Sequence, residues 1–219
     1  MEFRKIDKLG ITTSLLGFGC MRFPLDANGN IDEVRSGKMI DEAYANGVNY
    51  FDTAYVYHEG KSEIFTGKVL NKYDRSSYYL ATKLPIWDVH SVADAKRIFK
   101  EQLEKLQKDY IDFYLLHALG KGNVQKFDDW HLWDYVRELK EQGKIRHYGF
   151  SFHDTPEFLD ELLTKHPDVE FVQLQINYAD WNNPSVRSRE CYEVARKHGK
   201  PIIVMEPVKG GTLANPPKP

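Results

Sequence analysis

Apolar residues follow two patterns that alternate along the chain, and each pattern predicts a different element. In residues 93–108 they recur every three or four positions, which is the stripe of an amphipathic helix. Elsewhere they form short continuous runs, as in residues 113–116 and 202–204. Strands buried on both faces have this composition, which indicates a parallel sheet covered by helices.

Three of the predicted helices stop at a glycine and lead directly into a short apolar strand. A glycine just past a helix adopts the left-handed conformation without a Cβ penalty, so these positions are junctions between helix and strand. The helices and their glycines are residues 32–46 with Gly47, residues 130–142 with Gly143, and residues 185–198 with Gly199.

The whole chain contains seven such strands, with six helices between them and a hairpin over residues 3–19 before them. Strict alternation of strand and helix in units of about 30 residues predicts a doubly wound sheet or a β/α barrel. The strands are centred near Leu16, Phe51, Leu80, Leu115, Gly149, Leu174 and Ile203.

Size and charge narrow the class of protein. With 219 residues, 42% of them hydrophobic, the chain can bury one sizeable core, so we expect one domain or part of one. The net charge of −2 and the lack of a basic stripe argue against a nucleic-acid partner. The charged N-terminus resembles no signal peptide, and no apolar run approaches the ~18 residues of a membrane span. We therefore expect a cytoplasmic protein without a membrane partner.

Cysteine and histidine spacing argues against a metal site. Cys20 and Cys191 are far apart and show no CxxC pattern, which favours small buried thiols in a reduced protein. The eight histidines are dispersed, without HxH or HExxH spacing. An unrelated metal-dependent hydrolase on a β/α barrel is therefore disfavoured.

Polar residues interrupt the apolar strands at one recurring position, the carboxyl end. Asp52, Lys83, His117 and Ser151 each follow a strand, about one strand–helix unit apart. Any one of them has an ordinary structural explanation, such as a turn, a solvated charge or a hydrogen-bonded histidine. In a β/α barrel, however, the carboxyl ends of the strands converge on the active site. Four polar residues at the ends of successive strands therefore favour a common site. We expect Asp52 and Lys83 to form an ion pair, because each would be costly to bury alone.

The residues around these positions resemble the signature of the aldo-keto reductase family. Residues 47–57 place Asp52 and Tyr57 five apart, and a Gly-x-Ser-Glu sequence at residues 60–63 then opens the next helix. Lys83 and His117 match the other two catalytic positions of that family. Three further segments resemble its cofactor-side sequences and extend the resemblance over essentially the whole chain: residues 149–153, 173–175 and 206–211.

The resemblance implies an α/β fold of the (β/α)8 TIM-barrel type and an oxidoreductase that reduces an aldehyde or ketone to an alcohol. NADPH, with NADH as the alternative, would be the cofactor, and a small-molecule carbonyl compound the substrate. Tyr57 would be the general acid, and Lys83 would lower its pKa from the usual value of about 10. Asp52 would anchor Lys83, and His117 would orient the carbonyl group.

The resemblance also implies a set of cofactor-binding residues. Ser151 and Gln173 would bind the nicotinamide carboxamide, and Met205 stands where relatives usually place a stacking tyrosine. Phe152 replaces the asparagine of most members, which removes one expected contact. The full set is Met21, Arg22, Asp52, Ser151, Gln173, Met205, Glu206 and Val208.

Two segments, Ser-Phe-His at residues 151–153 and residues 206–211, resemble a bacterial branch that often carries a C-terminal ferredoxin-like extension. The corresponding cysteine cluster is absent from this sequence, so we expect no iron–sulfur cofactor here. Residues 1–219 are predicted to form one aldo-keto reductase-like barrel domain, truncated before the eighth strand. Barrel closure requires an eighth strand, and the sequence stops in a Gly/Pro-rich segment, residues 210–219, after the seventh.

One alternative function remains open at this point. A catalytically weak, cofactor-binding regulatory or redox-sensing protein on the same barrel would keep the same four residues. The sequence also leaves the substrate and the oligomeric state open. Three aromatic residues are candidates for a pocket wall: Tyr55, Trp87 and Trp181.

Overall fold

A computed structural model describes residues 1–215 and begins with a hairpin that precedes the main sheet. Strands β1 (Phe3–Ile6) and β2 (Ile11–Ser14) pair antiparallel, as the sequence predicts. Leu9 and Ile11 of this hairpin pack against the small apolar cluster inside the main sheet. The hairpin therefore covers one end of the sheet's inner face.

The main sheet has seven parallel strands, hydrogen-bonded in the order in which they occur in the chain. Six of the seven predicted strand centres lie within these strands, and the first strand begins at Phe18, two residues beyond the predicted Leu16. The strands are β3 (Phe18–Gly19), β4 (Tyr50–Asp52), β5 (Tyr79–Leu84), β6 (Ile111–Leu119), β7 (Ile145–Phe152), β8 (Phe171–Gln175) and β9 (Ile202–Met205).

Helices follow the strands along the chain and pack on the outer face of the sheet. They are α1 (Glu33–Ala45), α2 (Lys61–Leu70), α3 (Val92–Leu106), α4 (Val124–Asp129), α5 (Leu132–Glu141), α6 (Pro156–Lys165) and α7 (Ser188–Lys197). Six were predicted. The short α4 was not, because six residues are too few for a helical hydrophobic period to be recognised.

Helix starts are fixed by local hydrogen bonds at their N-caps. The carboxylate of Asp32 accepts from the Arg35 N–H at the start of α1, and the hydroxyl of Ser91 accepts from Asp94 at the start of α3. Each cap satisfies one backbone donor that the first helical turn leaves unpaired.

Strands β3 and β9 are not paired with each other within residues 1–215, so the sheet is open between them. This is an incomplete (β/α)8 barrel, as predicted. Of the predicted Gly/Pro-rich end, residues 216–219 lie outside the described residues.

The core has two parts that lie on opposite faces of the sheet. A large cluster lies between the sheet and the helices. A smaller one fills the inner face and consists of Tyr50, Ala81, Phe113, Leu115 and Phe171. Side chains two residues apart on a strand point to the same face, so the next inward position after each member lies toward the carboxyl end of its strand.

We predict opposite effects for two helical glycines when each is replaced by alanine. At Gly67 in α2 a Cβ would lie 2.5 Å from the backbone oxygen of Leu106 at the end of α3. At Gly37 in α1 it would meet no atom within 4 Å. Gly67→Ala should lower the free energy of unfolding by about 1–3 kcal/mol through overpacking. Gly37→Ala should raise it by roughly 0.5–1 kcal/mol. Urea denaturation checks both, and equal effects would contradict the close approach of α2 and α3.

Candidate active site

Six of the sequence-predicted site residues continue the inner-face core. Each stands two residues beyond a core or inward position on its own strand, so the pleat directs it to the same face. The pairs are Tyr50 and Asp52, Ala81 and Lys83, Leu115 and His117, Gly149 and Ser151, Phe171 and Gln173, and Ile203 and Met205. The apolar inner layer therefore ends in a polar layer at the carboxyl ends of six adjacent strands.

The ammonium of Lys83 is the centre of this layer. The residue is only 1% exposed, and its Nζ donates three hydrogen bonds. The acceptors are Asp52 Oδ1 at 2.5 Å, the Thr53 carbonyl at 2.7 Å and the Tyr57 hydroxyl at 3.2 Å. The ion pair expected from the sequence is present. The Thr53 carbonyl was not anticipated, because a backbone acceptor leaves no signal in residue type.

Burial and charge act in opposite directions on the two titrating groups. Burial lowers the pKa of Lys83, but Asp52 and Tyr57 outweigh it, so the net pKa is raised and the amine stays charged. Burial raises the pKa of Tyr57, and the Lys83 charge offsets this only in part, so its net pKa lies above 10. The sequence predicted that Lys83 would lower the pKa of Tyr57. Lys83 does act in that direction, but burial outweighs it and the net pKa is raised.

Tyr57 belongs to a turn with an uncommon backbone conformation. His58 and Glu59 follow it with φ values of +50° and +56°. The His58 Nε2 accepts from the Phe23 N–H at 3.0 Å, and the two rings pack 5.6 Å apart. This bond joins the Tyr57 turn to the loop that follows β3.

His117 lies beside Tyr57 as a neutral imidazole. Their ring centroids are 6.1 Å apart, and Trp87 lies 4.9 Å from the histidine on another side. Burial, followed by the charges of Lys83 and His153, lowers the pKa of His117 to about 3. Its Nδ1 is buried and has no hydrogen-bond partner among the described residues.

A break in the sheet register follows His117. The pairing of β6 with β7 shifts between Leu116 and Leu119, and Ala118 has a φ of +54°. The Ser151 hydroxyl accepts from the Ala118 N–H at 2.8 Å. Such bulges redirect side chains next to active sites, and this one ends the regular strand at the histidine.

One of the predicted cofactor residues, Gln173, contacts the Asp52–Lys83 ion pair. Gln173 lies opposite Ser151 in the register of β7 and β8, and its Nε2 donates to Asp52 Oδ2 at 3.0 Å. Phe152 is 2% exposed and packs with Phe150 and Phe158, so it belongs to the core.

The other predicted cofactor residues lie apart, along the open edge between β3 and β9. Arg22 and Glu206 form an ion pair of 2.8 Å across this edge. Met21 and Val208 are about half exposed, and Met205 is the last residue of β9.

Of the three aromatic wall candidates, Trp87 lies beside His117, and the other two pack elsewhere. The Tyr55 hydroxyl donates to Glu101 at 2.6 Å, and its ring packs under the Lys105 ammonium, both on α3. Trp181 packs against Tyr192 of α7. Sequence spacing indicated aromatic residues near the strand ends, and it did not indicate which way each ring points.

Two classes of site find no support in residues 1–215. No group of three or more His, Cys, Asp or Glu residues is placed to hold a metal ion there. No helix in that range is both long and apolar enough to cross a membrane.

We predict that His117 stays neutral in the folded chain well below the usual histidine range. The unfolded chain takes up a proton near pH 6.5, whereas the folded imidazole does so only near pH 3. The stability that this neutral group contributes is therefore present above pH 6.5 and is lost as pH falls toward 3. ¹⁵N-histidine NMR, assigned with His117→Asn, should show a neutral ring at about pH 5, with the urea-unfolded chain as the control. A cationic ring at that pH would contradict the burial.

Comparison with known proteins identifies the family. Residues 15–217 match the aldo/keto reductase family. The uncharacterized oxidoreductase YqkF of Bacillus subtilis is 29% identical over 99% of this chain and 68% of its own length. A probable aldo-keto reductase 1 of Glycine max is 27% identical over 94% of this chain, which spans 59% of that relative.

Solved structures agree with this assignment. The holo form of aldo-keto reductase AKR11C1 from Bacillus halodurans superposes with a TM-score of 0.79 at 29% identity, covering 100% of this chain and 70% of the other. An aldo-keto reductase from Klebsiella pneumoniae in complex with NADPH shares the fold, with a TM-score of 0.76 at 21% identity. The superposition covers 98% of this chain and 72% of the Klebsiella pneumoniae chain. The chain belongs to the aldo/keto reductase family.

Proposed function

We propose that this chain carries the proton-transfer site of an NADPH-dependent reductase that converts an aldehyde or ketone into an alcohol. The observation that carries the proposal is the buried Lys83 ammonium, held between Asp52 and the Tyr57 hydroxyl beside a neutral His117. A carbonyl reduction needs a proton donor next to the carbonyl oxygen, and this cluster presents one.

The residues at the strand ends fit a nicotinamide cofactor. Ser151 and Gln173 present a hydroxyl and an amide at adjacent positions, which suits a carboxamide with both donor and acceptor atoms. Met205 lies at the end of β9, two strands along the sheet from Ser151 on β7, and its thioether can pack against a flat ring. When bound, NADPH would supply the hydride. NADH remains the alternative, because no described residue is assigned to a 2′-phosphate.

The chain's own residues would control the proton. Tyr57 holds a proton on its hydroxyl at neutral pH, because burial keeps its pKa above 10. Lys83 stabilises the phenolate that remains after the proton leaves, and Asp52 keeps Lys83 charged and in place. Tyr57 therefore has the features of a general acid with a preorganised conjugate base.

His117 would orient the substrate oxygen. A neutral imidazole donates one hydrogen bond without adding positive charge beside Lys83. Trp87 is 43% exposed, its ring lies against His117, and it would form one apolar wall of the substrate site. We propose a small carbonyl compound as the substrate on these grounds.

The aldo-keto reductase from Klebsiella pneumoniae that shares this fold is bound to NADPH. That complex supports NADPH as the cofactor in this proposal.

We predict that Tyr57→Phe lowers the rate of NADPH-dependent aldehyde reduction by about 10²–10⁴-fold, because it removes the proton donor. Binding of NADPH, followed by quenching of protein fluorescence, should be largely unchanged. The matched control is Tyr55→Phe, which removes a hydroxyl two residues away that contacts α3 and should keep the wild-type rate.

Two other results would redirect the proposal. Reduction by Tyr57→Phe at the wild-type rate would exclude this residue as the acid. Single-turnover oxidation of bound NADPH without steady-state turnover would favour the catalytically weak, cofactor-binding regulatory or redox-sensing role on the same barrel.

The pH profile gives a second prediction. An acid catalyst acts while it holds its proton, so reduction should be constant between about pH 6 and pH 9 and decline only above pH 10. Initial rates at saturating NADPH measure this. If the reduction rate already declines from about pH 7, Tyr57 is not the group whose deprotonation limits the rate at alkaline pH.

A further inference from the structure

Four polar side chains are buried directly behind Lys83, between the sheet and helices α2 and α3. They are Glu63, Thr82, Gln102 and Tyr114, and none of them is exposed to solvent. They come from α2, β5, α3 and β6 and so connect four separate elements. Because buried polar groups are costly unless hydrogen-bonded, a group of four between the sheet and the helices requires an explanation.

Gln102 is the centre of this group, which we call the Gln102 network. Its Nε2 donates to Glu63 Oε1 at 3.0 Å and to the Lys83 carbonyl at 3.0 Å. Its Oε1 accepts from the Tyr114 hydroxyl at 2.7 Å. The Thr82 hydroxyl donates to the same Glu63 oxygen at 2.6 Å. The network therefore ends on the backbone of the residue that carries the active-site ammonium.

The Lys83 carbonyl needs this partner because the neighbouring strand has ended. The Ala81 carbonyl accepts from the Thr53 N–H, just after β4 stops at Asp52. Residues two apart on a parallel strand direct their backbone groups to the same side, so the Lys83 carbonyl faces that side as well. Gln102 supplies from a helix the donor that a strand would otherwise supply.

The network fixes the orientation of the Gln102 amide. Glu63 Oε1 and the Lys83 carbonyl are both acceptors, so only the NH₂ group can face them. Burial raises the pKa of Glu63, and hydrogen bonds from Thr82 and Gln102 together with the charge of Lys105 oppose this rise. Rotating the amide by 180° would place its oxygen against two acceptors and leave Tyr114 without one.

Building on the proposed function, we propose that Gln102 is a positioning residue that holds the end of β5 and thereby sets the place of the Lys83 ammonium. The Lys83 Nζ must reach three acceptors at once, and the Tyr57 hydroxyl is the most distant of them, at 3.2 Å. A small displacement of the backbone would therefore weaken the contact with Tyr57 first. Glu63, part of the Gly-x-Ser-Glu sequence that opens α2, acts in the same network as the acceptor that orients Gln102.

The test uses Gln102→Met, which keeps length and volume and removes every hydrogen bond of the amide. We expect kcat for aldehyde reduction to fall roughly five- to tenfold, as for the loss of one ordinary hydrogen bond. The Kd for NADPH should stay within about twofold, because no cofactor contact is altered. The control is Phe99→Leu, which disturbs the same face of α3 where Phe99 packs edge-on against Tyr114, without removing a hydrogen bond.

A second readout does not depend on turnover. In ¹⁵N-lysine-labelled protein the Lys83 ammonium, assigned with Lys83→Met, should give a slowly exchanging signal. In Gln102→Met its protons should exchange with water roughly tenfold faster, and in Phe99→Leu they should not. If the wild-type protein shows no turnover but Gln102→Met still accelerates the exchange of the Lys83 protons, the proposed function is wrong and the positioning role stands.

Other outcomes would overturn the positioning role. If Gln102→Met keeps both the wild-type kcat and the wild-type Lys83 signal, Gln102 serves stability alone. The same holds if Phe99→Leu alters kcat and exchange as strongly as Gln102→Met does. Should Gln102→Met fail to fold, Tyr114→Phe decides, because it removes only the bond to Oε1. In Tyr114→Phe we then expect kcat to fall and the exchange of the Lys83 protons to accelerate by roughly two- to threefold, as for one weakened hydrogen bond. If neither quantity changes, the positioning role is overturned.

Discussion

A single buried ammonium constrains the site and much of the fold around it. A charge placed in a protein interior is tolerated only with an opposite charge and full hydrogen bonding, and removing its partner costs about 3–5 kcal/mol. The Lys83 Nζ meets this requirement with Asp52, the Thr53 carbonyl and the Tyr57 hydroxyl. All three acceptors come from residues 52–57, at and just after the end of β4, so the same contacts that arrange these groups also fix β4 relative to β5.

The core and the site share one structural rule, the two-residue repeat of the strands. Phe113 and Leu115 belong to the inner apolar cluster, and His117 continues the same row. A shift in register by one residue would move the whole row to the helix-covered face and bury the imidazole among apolar side chains. Selection for a packed inner face therefore also preserves the arrangement of polar residues above it, and stability and function here depend on the same register.

The sequence predicted those features that follow from repeats and local residue chemistry. Strand positions, the glycines after helices and the alignment of Asp52, Lys83 and His117 belong to this class. Features that depend on the balance of opposing interactions were not predictable. The net rise in the Tyr57 pKa is one example, because it depends on how deeply the ring is buried against the charge of Lys83. Gln102 is another, since a glutamine on the buried side of a helix stripe gives no indication of the carbonyl that it meets.

The two halves of the proposed site differ in burial and in hydrogen bonding, and this difference bears on the proposed function. The proton-transfer half is buried and joined by short hydrogen bonds to neighbouring strands. The residues along the open edge are exposed and are connected across it by the Arg22–Glu206 pair, with side chains 55% and 25% exposed. Exposed pairs of this kind contribute about 0–1 kcal/mol, so Arg22 can exchange its carboxylate partner for another anion at little cost. In the proposed function, proton transfer would require fixed distances, whereas binding a large anionic cofactor would require a surface that can adjust. The distribution of burial in residues 1–215 fits both of these requirements of the proposal.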